Sequence, residues 1–65
     1  RHAEHAQALL GDEVLRGKRV LVCNNSCLDF RCIIARKPSS TLVLSEAQLE
    51  ALQVVSGNTL TYCPL

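Results

Sequence analysis

Thr41-Leu42-Val43-Leu44-Ser45-Glu46-Ala47-Gln48-Leu49-Glu50-Ala51-Leu52 decides the fold class of this chain. Thr41 to Leu44 is short and apolar, as a buried strand requires. Ser45 then offers a hydroxyl to the free N–H groups of a first helical turn, and Gln48, three residues on, completes a Ser-x-x-Gln capping box. Glu46 adds negative charge at the positive end of the helix dipole. Leu49 and Leu52 fall on the side to be buried, while Glu50 and Gln53 face water. A strand therefore passes directly into a helix of about two turns.

Downstream, Val54 and Val55 leave the helix, and Ser56-Gly57-Asn58 is a turn in which Gly57 supplies positive φ. Thr59 to Cys63 alternates as a last strand, with Leu60 and Tyr62 on one face. Pro64 ends it. Upstream, Lys18 to Cys23 reads as a strand, and Asn24-Asn25-Ser26 behind it as a turn cluster. Phe30 to Arg36 is a second strand, with Phe30, Cys32 and Ile34 on one face and Arg31 and Ile33 on the other. The short gap suits a hairpin or a tight psi-type crossing. Lys37-Pro38-Ser39-Ser40 is a turn. Arg1 to Leu10, rich in Ala, Gln and Leu, is expected to be helical, with Gly11 and Asp12 ending it and Glu13 to Gly17 as a polar connector.

The resulting expectation is an α+β fold: a small β-barrel-like or curled sheet of about four strands, one short capped helix and an N-terminal helix. Residues 1–17 form the N-terminal helix and linker, and residues 18–65 the module proper. A chain of 65 residues is one domain at most, and chains this short often need a disulfide, a metal or a partner surface to stay folded. Aromatics are limited to Phe30 and Tyr62, so the core falls to Leu, Val, Ile and Ala. The chain is expected to rest against something else. It has no initiator Met, and Arg1-His2-Ala3-Glu4-His5 is not followed by the apolar stretch of a signal peptide; a piece of a longer protein is the expectation. No run approaches the length of a membrane span.

The net charge of +1 is too balanced for a nucleic-acid protein with one crowded basic face. Arg16, Lys18, Arg19, Arg31, Arg36 and Lys37 flank the first two strands, but a solvated rim or ion pairs to a partner are preferred to phosphate contacts, because stacking aromatics and a reading helix are missing. Cys23, Cys27, Cys32 and Cys63 are expected to be free thiols, with a disulfide framework or a metal as alternatives. The Cys-x3-Cys-x4-Cys spacing, with His2 and His5, departs from the usual zinc knuckle. Neither histidine is placed by spacing to activate a cysteine. Gly11, Gly17 and Gly57 are isolated, so no phosphate-cradling loop is present. No residue is assigned a catalytic, cofactor-binding or metal-binding role, and no cofactor is expected.

Leu21-Val22-Cys23-Asn24, five residues, then Phe30-Arg31 resembles the Leu-Val-x-Asn-x5-Phe-Arg pattern near the end of arginine N-succinyltransferases. Leu42 to Leu52 is similar to that family's following strand and capped helix. Ser56-Gly57-Asn58 resembles its Gly-Asp turn, with Asn58 in place of Asp, ahead of a last strand and a terminal Leu such as Leu65. The similarity covers Lys18 to Leu65. It implies a non-catalytic C-terminal module of a cytoplasmic enzyme that transfers succinyl from succinyl-CoA to arginine in arginine catabolism. The family's CoA-binding and catalytic histidine residues lie upstream of the matched region. The implied partner is the remainder of the acyltransferase polypeptide or a partner subunit, in an oligomer. The alternative from a different class is a small dimeric DNA-binding regulator of the swapped-hairpin kind, suggested by Thr41–Tyr62 and the basic residues. A third possibility is a zinc-stabilised module.

Overall fold

A computed structural model describes residues 3–65. Five strands and one helix follow one another as β1 (Glu4–Leu10), β2 (Lys18–Cys23), β3 (Cys32–Lys37), β4 (Leu42–Leu44), α1 (Glu46–Leu52) and β5 (Thr59–Pro64). They make one mixed sheet in the order β3-β2-β5-β1-β4. The pairs β2/β3, β2/β5 and β1/β5 are antiparallel, and β1/β4 is parallel. Both edge strands, β3 and β4, approach each other and α1, so the sheet curls until it is nearly closed. The expected α+β curled sheet is what the chain forms.

One expected element is different. Glu4–Leu10 is a strand, not a helix, and it lies between β5 and β4 inside the sheet. The local preference of Ala, Gln and Leu for helix is weak, and a helix of ten residues is marginal on its own. What β1 offers the sheet is two small side chains at period two. Ala6 and Ala8 face the crowded interior, and Ala8 is fully buried. Its N–H donates to the Asn58 carbonyl at 2.9 Å, and its carbonyl accepts from Gly57 N–H at 2.8 Å. Tertiary pairing outweighs intrinsic propensity here.

The interior is built from alternate positions of every strand. Val20, Val22, Ala35, Leu42, Leu44 and Leu60 point inward and meet Leu49 and Leu52 of α1. The helix begins as its sequence dictates. The Ser45 hydroxyl accepts from Gln48 N–H at 3.2 Å, and the Gln48 side-chain oxygen accepts from Ser45 N–H at 2.8 Å, which is the reciprocal capping box. Gln53 ends the helix in the left-handed conformation, φ 58°, with Gly57 at φ 95° in the turn beyond. Gly17 also has positive φ, 105°, and a Cβ there would lie 2.6 Å from the Pro38 backbone. That close approach lets the connector from β1 enter β2 beside the β3–β4 turn.

Candidate functional site

The most constrained polar position is Asn24, at the end of β2 and 3% exposed. Its side-chain nitrogen donates to the carbonyls of Asp29 and Leu52, both at 2.8 Å. Its side-chain oxygen accepts from Arg31 N–H at 3.1 Å and, more weakly, from Ser26 N–H at 3.4 Å. Leu52 is the last residue of α1, where carbonyls lack helical partners. One amide thus ties the 24–31 loop to the helix C-terminus. An amide is suited to this, since it carries donors and an acceptor at once. Its place within the Leu-Val-Cys-Asn stretch was the one available signal, and turn chemistry alone did not single it out from Asn25. The role of Asn24 is to hold the fold, since both its polar ends are satisfied within the chain.

The cysteines divide into two kinds. Cys23 and Cys32 occupy the same rung of the β2/β3 hairpin, with Cα atoms 4.1 Å apart, and are joined by a disulfide. The expectation of free thiols is corrected for this pair. Facing positions on a narrow, non-hydrogen-bonded rung bring two sulfurs together whatever the rest of the sequence says. Cys27 and Cys63 are free. His5 is exposed on β1, across from Thr61 of β5, and not on a helix; His2 lies outside the described residues. Among the described residues no three His, Cys, Asp or Glu side chains gather as a metal site would need.

Charge is concentrated at the other end of the same hairpin. Lys18 faces Lys37 and Arg19 faces Arg36, so two consecutive rungs carry like charges. Such pairs are unfavourable when nothing offsets them. The Arg36 guanidinium donates to the Gly17 carbonyl at 3.0 Å. The Lys37 ammonium donates to the Ser39 carbonyl at 2.8 Å and sits 4.7 Å from the centre of the Tyr62 ring. The ion pair among the described residues is Arg31–Asp29, exposed and local, and such pairs contribute little.

Two apolar surfaces remain open. On the outer face of the sheet, Ile34, Leu21 and Cys63 line up on one row across β3, β2 and β5. Beside α1, a groove of about 480 Å³ is lined by Leu10, Leu49, Val54 and Val55, with Glu46 and Glu50 among its polar walls. Separately, the connecting loops expose large side chains: Leu28 is fully exposed, Leu15 79% and Phe30 66%.

No family model, no curated protein and no solved structure matches this chain. No helix among the described residues is long and apolar enough to cross a membrane.

Proposed function

We propose that this chain is a non-catalytic C-terminal module of an arginine N-succinyltransferase, packed on the rest of that polypeptide or on a neighbouring subunit. The sequence similarity over Lys18 to Leu65 supports the family. The observation that carries the packing role is the exposure of Leu15, Leu28 and Phe30 from loops on a domain this small. Three large apolar side chains held in water, two of them (Leu28 and Phe30) on the hydrogen-bonded 24–31 loop, fit a surface completed by another polypeptide. The tightly fastened 24–31 loop makes the presentation of Leu28 and Phe30 a built feature. The reading places the protein in the cytoplasm, where the acyl-CoA and arginine of the resembled reaction meet. There the Cys23–Cys32 pair would stand largely reduced.

The swapped-hairpin DNA-binding reading draws on the two like-charged rungs at Lys18/Lys37 and Arg19/Arg36. Against it, β5 is already paired on both sides within one chain, with β2 and β1. A nearly closed sheet whose central strand is already paired on both sides does not need a second chain to complete that strand.

The test is succinyl-CoA-dependent acylation of arginine by the native species that carries this sequence. The proposal expects activity there and none from the 65-residue chain alone. A native species with no acyl transfer to arginine would overturn it.

A further inference from the structure

The geometry points to head-to-tail self-association, in which the outer sheet face of one copy seats in the helix groove of a second. This goes beyond the proposed function and does not depend on it, because both halves of the contact lie on this chain.

The first half is the outer face of β3, β2 and β5. Its central row is Ile34, Leu21 and Cys63, and Ile34 is 60% exposed. The next row holds Arg36 and Arg19 side by side, with no carboxylate in ion-pair contact among the described residues. Leu65 continues that row, since its N–H donates to the Arg19 carbonyl at 3.1 Å. No outward position of these three strands carries an acid. The second half is the groove beside α1. Its floor is apolar, from Leu49, Val54 and the half-exposed Leu10, and Glu46 and Glu50 stand one helical turn apart at its wall. No cation lines it. One surface is therefore an apolar row edged by two positive charges, and the other an apolar groove edged by two negative ones.

A face-to-face pairing of two identical sheet surfaces is the less favourable geometry, because it brings the arginine pairs of both copies to one interface. Nucleic acid would satisfy the arginines but leave the apolar row against phosphate. The acidic groove of a second copy answers both features at once. The contact is heterologous, since the two patches differ, so it leads to a closed ring or an open chain of copies. Carboxylates from a neighbour add to the one offset the chain itself gives this rung, the Arg36 bond to the Gly17 carbonyl.

Sedimentation velocity across a range of protein concentrations tests this, with complementary charge reversals at exposed positions. Wild type is expected to associate at low salt, and to do so roughly tenfold more weakly at high salt, where exposed pairs are screened. Arg19→Glu/Arg36→Glu alone and Glu46→Lys/Glu50→Lys alone are expected to remain monomeric. An equal mixture of the two is expected to associate again, because each supplies the charge the other now needs. A variant that does not fold is recognised by circular dichroism. In that case the second readout decides on wild type: alkylation of the Cys63 thiol slows as concentration rises, because the contact covers it. A wild type that stays monomeric throughout, reversals that leave association unchanged, or a mixture that fails to re-associate while both variants are folded would each overturn the inference.

Discussion

Asn24 shows what a single side chain can carry in a domain of this size. Its amide satisfies the carbonyls of Asp29 and Leu52 and receives the Arg31 N–H, so removing it strands three groups on two segments, the 24–31 loop and the end of α1. Leaving buried polar groups unpaired costs about 1–3 kcal/mol. Asn24→Ala should therefore lower stability by about 2–3 kcal/mol in denaturant unfolding, whereas Asn25→Ala, at an exposed position with bonds to Thr59 and Thr61, should cost well under half of that. Equal losses would show that the buried amide has no special role. A core this small rarely supplies more than about 3–5 kcal/mol, so the first substitution is expected to leave a marginal fold. Turn chemistry marked both asparagines alike, and only the Leu-Val-Cys-Asn stretch set Asn24 apart. Which of them turns inward depends on the register of β2, where Val20 and Val22 are buried and position 24 follows in the same phase.

At the scale of elements, legibility tracked how local the cause was. The α1 capping box, the buried Leu49 and Leu52 and the positive φ of Gly57 are set by residues within a few positions of one another, and all were readable. Ser45→Ala should cost about 1 kcal/mol, the usual worth of an N-cap, as a lower unfolding midpoint with an unchanged denaturant slope. No change would mean that packing of Leu49 and Leu52 holds the helix without its cap. β1 was misread because its partners lie at residues 42–44 and 59–62, far along the chain. The Cys23–Cys32 disulfide was misread for a related reason: compartment suggested thiols, while hairpin register puts the two residues on one rung. Once the protein has been isolated under air, alkylation without reductant should modify the two thiols of Cys27 and Cys63, and reduction should expose two more. Closing a loop this short should be worth about 2–3 kcal/mol, read as a lower midpoint in reductant. Four reactive thiols before reduction would contradict the assignment.

The whole molecule measures 30 × 27 × 16 Å along its principal axes. Its short dimension leaves room for a curled sheet with one helix against it, and none of the described residues covers the outer face of the β3/β2/β5 side or the loops bearing Leu15, Leu28 and Phe30. The candidate interaction surfaces were only partly legible. Composition gave only an expectation of support from elsewhere, and the hairpin brought the basic residues together. The apolar rows became visible only with strand order, because β5 sits between β2 and β1 and brings Cys63 beside Leu21. The most direct measurement is the intact mass of the native species that contains this sequence, followed by peptide sequencing of whatever accompanies it. The account predicts a larger polypeptide, or a tight complex, whose remaining part is an arginine acyltransferase. A free native chain ending at these 65 residues, with no such companion, would contradict it.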